Sequence, residues 1–414
     1  MQKKILVLGL GQNNFLSFLY GAVKKKDSDF FISAPFFTAF NNTSHTDSWM
    51  YSNDKIVRKI SFVCYLKSAF SCLLSKHFYQ TLFFILFVEL KFSKTLHFVV
   101  KQMQAKAFFI ANQNFNDYDI FHFHFMQYSY LKEVFMVPKN KKIVCTFWGS
   151  DLLRTSDIFN FYFVKKALNK ATTITCQTAE LREVILSKYG RNLLDKIEVN
   201  MFPLEESIYQ LMKSNATEVK KISQFKAQFN YSPDKINVLI GHNGSIFNNH
   251  LQIINALQHL RDVQQFHLIV NLNYAITENQ TIAYKNELNA ALTKTNCSYT
   301  ILENFFSGET LALSRLATDV FVHAPVSDAI SSTMLEMLYA GSVVIAGSWL
   351  PYKTFKNAQL KYHEIVEFED ISKIFNAIAL HFNEEKQKMQ TNTLAVENYF
   401  LNDKIATKWC RILQ

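Results

Sequence analysis

A chain of 414 residues, 49% of them hydrophobic, can bury two cores of ordinary size, which excludes a disordered protein and points to two domains. The net charge of +10, with a pI near 9.1, suits an anionic partner such as an acidic lipid headgroup or a pyrophosphate-bearing substrate. No C2H2 spacing, RRM signature or dense Arg/Lys tract occurs, so no nucleic-acid partner is expected.

The opening MQKKILVLGLGQNN has an apolar run shorter than a signal h-region and reads as a first buried strand. From Lys3 to about Met201, strand-like runs (ILVLGLG, FFISA, DIFHFHF, KIVCTFWGSD, TTITCQ, KIEVNMF) alternate with helix-like stretches, the pattern of a parallel sheet wound by helices. Gly9-Leu10-Gly11 follows the first run, but Asn14 stands where a dinucleotide fingerprint needs its third glycine, so NAD is not expected. Residues 61–110 hold six lysines, one glutamate and many Phe, Leu and Val at helical spacing. They read either as core helices with lysines on the wet side or as a basic amphipathic surface for an anionic membrane, displaying Lys67, Lys76, Lys91, Lys94 and Lys101. The longest apolar stretch, Thr81 to Leu90, already contains Glu89 and is too short to span a bilayer.

Asp117-Tyr118-Asp119 precedes an apolar strand rather than following one, which makes it a turn instead of a metal-carboxylate pair. His122 and His124 alternate with phenylalanines and share one face of that strand. His124, nearer the carboxyl end, is a candidate to reach substrate, and His122 a satisfied core residue. Phe147-Trp148-Gly149-Ser150-Asp151 ends the next strand. Asp151 is a candidate base for an acceptor hydroxyl, or the cap of the following helix, or both.

Six cysteines, Cys64, Cys72, Cys145, Cys176, Cys297 and Cys410, form no C-x-x-C pair and no metal pattern, and read as reduced thiols of a cytoplasmic protein. The polar stretch around Lys213 to Lys235 reads as linker with a surface helix. A second alternating set follows: NVLIGHNG, FHLIVNLN, SYTILEN, DVFVHAP and SVVIAG. In the first of these, Gly244, Ser245, Asn248, Asn249 and His250 offer N–H and amide donors for a diphosphate without a metal. Further on, Asp328 and Glu336 lie eight apart with Ser331, Ser332 and Thr333 between them, before a helix that stops at Gly341 and gives way to a strand. Ser331 or Ser332 caps that helix on the plainer view. On the functional one, the loop holds phosphate, Glu336 the ribose and Asp328 the donor sugar.

This last segment resembles the donor-binding helix of GT-B glycosyltransferases: an acidic residue, seven others, a glutamate, then a glycine and a strand, with Asp328 where many members have glutamate. F-W-G-S-D, I-G-H-N-G-S-x-x-N-N-H, the run LALSRLATDV and A-G-S-V-V-I, spread in order over about residues 120–360, resemble the bacterial N-acetylfucosaminyltransferases, which move a deoxyamino sugar from a dTDP donor to a lipid-pyrophosphate-linked glycan. The resemblance implies an α/β protein of GT-B fold, two Rossmann-like domains facing an interdomain cleft. It divides as 1–205, a linker 206–235, a nucleotide-sugar domain 236–395, and a terminal helix in 396–414 returning to the first domain.

It further implies a hexosyltransferase independent of metals and cofactors. The donor would be a dTDP, UDP or GDP sugar and the acceptor a lipid-linked glycan of surface polysaccharide synthesis. Such an enzyme would work peripherally on the inner face of the plasma membrane. Two rivals stand beside it: a sugar-nucleotide 2-epimerase of the same architecture, and a noncatalytic glycan-binding protein.

Overall fold

The computed structural model describes residues 2–9, 14–33, 60–112, 116–275, 278–401 and 403–414. The chain forms two compact units, one of Met1–Pro203 with Asp403–Gln414, the other of Leu204–Asn402. The stretch 206–235 is therefore not a linker. It contributes the helices Glu206–Asn215 and Val219–Gln228, which pack on the helix Gly308–Leu316, with Ile208, Met212 and Phe225 buried.

Unit 1 holds a six-stranded parallel sheet in the order β2-β1-β3-β4-β5-β6. Its strands are β1 (Lys3–Gly9), β2 (Phe30–Ser33), β3 (Ile120–His124), β4 (Lys142–Thr146), β5 (Thr173–Cys176) and β6 (Ile197–Val199). All five residues of β3 are buried, as expected for a central parallel strand covered on both faces. Strand order reverses between β1 and β3, so their carboxyl ends, Gly9 and His124, open the crevice where open α/β sheets bind ligands. A Cβ on Gly9 would fall 2.1 Å from the His124 carbonyl oxygen, so this close approach requires glycine. Leu10 and Gly11 lie outside the described residues. Asp119 sits at the opposite edge of the sheet, where its Oδ2 accepts the Lys4 amide at 3.0 Å.

The helices Phe62–Leu73, Lys76–Phe84 and Phe92–Ala111 are inserted between β2 and β3, with a π-helical turn, Ile85–Glu89, joining the last two. The final helix, Lys404–Ile412, packs on Asn14–Lys26 with Ile405, Ala406, Trp409, Cys410 and Ile412 buried, a one-sided stripe at helical spacing.

Unit 2 has the order β12-β11-β10-β7-β8-β9, again all parallel: β7 (Ile236–Ile240), β8 (Phe266–Asn271), β9 (Ser298–Leu302), β10 (Val320–His323), β11 (Val343–Gly347) and β12 (His363–Ile365). Read from β9, this is the Rossmann order 3-2-1-4-5-6, with its reversal between β7 and β10. Val238, Ile240, Leu268, Val270, Val320, Val322, Val343 and Ile345 form the sheet's part of one core with Ile253, Phe266, Leu288 and Phe375.

Trp409 is the anchor of the terminal helix. Its ring is fully buried against Phe202, and its indole N–H donates to the Met201 carbonyl at 2.8 Å. Trp409→Ala should lower the stability of unit 1 in urea unfolding by about 3 to 5 kcal/mol. A loss under about 1 kcal/mol would show that the terminal helix does not hold the unit together.

Candidate functional site

At the carboxyl edge of unit 1 the two histidines face one another, ring centroids 4.0 Å apart, as the period of two requires. Both are completely buried in one hydrogen-bonded chain. The indole N–H of Trp148, which can only donate, reaches His124 Nδ1 at 3.3 Å. His124 Nε2 therefore carries the proton and donates to the Tyr20 hydroxyl at 2.8 Å, which donates to His122 Nδ1 at 2.8 Å. His122 Nε2 then donates to Thr146 at 2.7 Å, and Thr146 to Thr175 at 2.6 Å. Burial pushes the His122 imidazole down to about 3 and lowers His124 as well. With both nitrogens engaged and no exposure, His124 is a structural residue rather than a substrate-facing base.

Asp151 is corrected in the same way. Its buried carboxylate accepts the backbone amides of Met126 at 2.7 Å and of Trp148 and Gly149 at 2.9 Å each. It staples the loop after β3 to the turn after β4. Gly149, not Asp151, is the N-cap of the short helix Ser150–Leu153. Burial raises the carboxyl to about 6, but the side chain presents no surface to an acceptor. A pocket of about 490 Å³ does open nearby, lined by Gln127, Tyr128, Arg154, Thr155, Asp157 and Asn160 among others. Asn160 Oδ1 accepts the Tyr128 amide at 2.7 Å, while its buried Nδ2 has no partner. Nothing in the spacing of the sequence singled out this asparagine.

In unit 2 the loop after β7 is stitched by its own side chains. Gly244 N–H donates to the Tyr274 carbonyl at 2.8 Å and Ser245 N–H to Asn243 Oδ1 at 2.9 Å. The Asn248 amide group donates to Asn243 and Ser245, and Asn249, at φ 57°, donates to the Ala324 carbonyl at 2.8 Å. His250 is fully buried, its Nδ1 against the Tyr284 hydroxyl at 3.0 Å and its ring filling the space that a Cβ on Gly241 would need. Burial pushes this imidazole down to about 4, so it brings no positive charge to a leaving diphosphate at neutral pH. The amide donors expected to cradle phosphate here shape the loop, while Asn248 Oδ1 and His250 Nε2 keep no partner.

The helix Ser332–Tyr339 starts as expected, with Ser331 Oγ accepting the Met334 amide at 3.0 Å. The amides of Ser332 and Thr333, in its first turn, have no intrahelical acceptor and point out of the helix start. Glu336 is turned the other way. Its Oε2 accepts from Arg315 Nε of the helix Gly308–Leu316 at 2.8 Å, both side chains being nearly buried. Burial raises the Glu336 carboxyl, and Arg315 opposes the rise. The carboxylate thus clamps two helices, and a ribose diol would have to share it.

Asp328 does lie at the edge. Its Oδ2 accepts from His323 Nε2 at 3.1 Å and from the Tyr352 hydroxyl at 2.7 Å, and its Oδ1 from the Ala329 amide at 2.7 Å. Burial alone would raise this carboxyl, but the hydrogen bonds from His323 and the Tyr352 hydroxyl outweigh it and hold it at about 2. His323 Nε2 must carry the proton, because the tyrosine proton goes to the carboxylate. His323 Nδ1 is left buried without a partner, and so are His242 Nδ1, Asn248 Oδ1, His250 Nε2, Asn271 Oδ1 and Asn273 Oδ1. All six belong to the ends of β7, β8 and β10 or to the loop after β7, on either side of the strand reversal. Buried polar atoms are nearly always bonded, so this concentration makes the edge the candidate ligand site. His323, Tyr352, His242, Asn271 and Asn273 were not singled out from the sequence. A polar residue closing an apolar strand run, as in FHLIVN and VFVH, is the signal that could have found two of them, Asn271 and His323.

No family model matches the chain, and no curated protein matches it in sequence. Solved structures match its fold over its whole length. HepE of Anabaena, in complex with UDP and glucose, is 12% identical with a TM-score of 0.68, covering 100% of this chain and 99% of that one. A glycosyltransferase from Rickettsia africae is 14% identical (TM-score 0.64, 100% and 98%), and sucrose-phosphate synthase of Thermosynechococcus elongatus 12% (TM-score 0.66, 100% and 98%). The chain has the GT-B fold of two Rossmann-like domains. Among the described residues, no group of three or more His, Cys, Asp or Glu side chains is arranged to hold a metal ion.

Glu336→Gln leaves the Arg315 guanidinium buried without its counter-charge and should destabilise unit 2 by about 3 kcal/mol in denaturant unfolding. Unchanged stability with weakened nucleotide binding would instead return the carboxylate to the ribose.

Proposed function

We propose that the chain is a glycosyltransferase that takes a sugar from a nucleoside diphosphate donor bound at the β7/β10 edge of unit 2. The observation that carries this is the cluster of unpaired buried polar atoms around Asp328, on a fold shared with HepE, which was solved with UDP and with UDP-glucose. Three asparagine oxygens and an ionised carboxylate are acceptors, matched to a ligand rich in hydroxyl donors, that is, a sugar. The first-turn amides of Ser332 and Thr333 suit the diphosphate. Asp328, held ionised, would accept from sugar hydroxyls, with His323 and Tyr352 fixing its orientation.

The acceptor, a glycan carried on a lipid, would enter unit 1 at the pocket containing Asn160, Arg154 and Gln127. The F-W-G-S-D and I-G-H-N-G motifs favour a dTDP-linked deoxyamino sugar and a role in surface polysaccharide synthesis, while the likeness to HepE favours UDP. The setting that fits both substrates is the cytoplasmic face of the plasma membrane. An epimerase is less well served, because a carboxyl near 2 is poorly matched to proton abstraction at neutral pH.

Thermal-shift titration with UDP, GDP and dTDP tests the donor: one of them at a hundred times its dissociation constant should stabilise the protein by about 2.7 kcal/mol. Asp328→Asn should cut sugar transfer at least tenfold with little change in nucleoside diphosphate affinity. Because Asp328 stays ionised down to about pH 2, it should produce no acid loss of activity between pH 8 and 5, whereas Tyr352→Phe, which removes a donor, should move that loss upward in pH. If none of the three nucleotides stabilises the protein, the function is wrong.

A further inference from the structure

The helices inserted between β2 and β3 are amphipathic in the wrong sense for a soluble core. On Phe62–Leu73 the stripe Phe62, Leu66, Phe70 and Leu73 faces out, Phe62 being 75% exposed, while Ser68 and Cys72 face in. Ser68 even donates its hydroxyl inward, to the Met103 carbonyl at 2.6 Å. On Phe92–Ala111 the stripe Phe92, Leu96 and Val100 is likewise exposed, with Phe98, Gln102 and Ala105 buried. Between them the π-helical turn presents Phe87 and Val88, and Leu90 follows it at 79% exposure in the left-handed region. A groove of about 560 Å³, lined by Leu82, Phe83, Leu86, Phe87 and Tyr162 among others, runs into this face.

A patch of this extent is rare on a free surface. Among the described residues no single helix is long and apolar enough to cross a membrane, but Phe62–Leu73 and Lys76–Glu89 together meet the length and composition of a span and are bent by 76° at their break. The charges around the patch choose the occupant. Residues 61–110 carry six lysines and one glutamate, and that glutamate is bonded to Lys94. A second copy of the chain would set these lysines against their own kind, whereas anionic headgroups complement them.

We propose that this face is embedded in the headgroup and acyl boundary of an anionic lipid bilayer, held chiefly by burial of Phe62, Phe70, Phe87, Leu90, Phe92 and Leu96. Lysine charge is the smaller part, since Lys94 is already bonded to Glu89 and Asp157 at 3.0 Å each, leaving Lys67, Lys76 and Lys91 exposed at the rim. An apolar hold differs from a purely electrostatic one in its response to salt.

The test uses the full chain without donor or acceptor, so its failure leaves the sugar-nucleotide proposal standing. Flotation with phosphatidylcholine/phosphatidylglycerol vesicles should show binding that persists in 1 M NaCl. The triple variant Phe87→Ser, Leu90→Ser, Phe92→Ser changes only exposed side chains, so it should keep its melting temperature while its vesicle partition falls about a hundredfold. Binding abolished by salt, or unchanged in the triple variant, overturns the embedding. So does a chain that ignores vesicles and forms dimers that the same substitutions dissociate.

Discussion

Everything at the functional edge of unit 2 depends on one ionised carboxylate held from two strands. Asp328 follows β10, its partner His323 ends β10, and Tyr352 lies beyond β11, so the bonds to Oδ2 draw neighbouring loops to one point. The cost of partly burying the charge is offset by the His323 and Tyr352 donors, which keep the carboxyl at about 2. The same bonds fix the His323 tautomer and leave its Nδ1 unpaired, with the His242 ring 5.6 Å away between centroids. A parallel sheet makes this convergence possible, because all its strands end on one side.

The polar side chains at the carboxyl ends of the central strands differ between the two units. In unit 1 the chain from Trp148 through His124, Tyr20 and His122 to Thr175 is satisfied at every step, and Asp151 has an amide for each lobe of its carboxylate. Such a network rigidifies an edge and leaves little for a ligand. In unit 2 the same edge ends in atoms that lack partners. That asymmetry is what favours unit 2, over any single motif, for the proposed nucleotide site.

Strand positions were legible because central parallel strands read as short apolar runs: DIFHFHF, FHLIVNLN, DVFVHAP and SVVIAG all became strands, and the stop of the helix at Gly341 was visible in its sequel. The strand β12, His363–Ile365, lies in no apolar run, since KYHEIVEFED alternates charged and apolar residues. Candidate site residues were less legible. Asp328 was found by its place before a helix, but the side to which a helical residue turns depends on tertiary packing, and Glu336 turned toward Arg315. Asn249 looked like a ligand donor because local sequence cannot reveal that its amide bonds to the Ala324 carbonyl, whereas Asn248 and His250 each keep one unpaired atom at the edge. Exposed and buried stripes of the helices 62–111 have the same period, so the pattern could not say which stripe faced out.

Hydrogen–deuterium exchange of the full chain with and without saturating UDP, GDP or dTDP tests the central assignment most directly. One nucleotide should slow exchange in peptides covering residues 241–245, 271–274 and 326–334, leaving the sheet core of unit 2 unchanged. Protection confined to unit 1, or none with any of the three nucleotides, would contradict the placement of the donor at the β7/β10 edge.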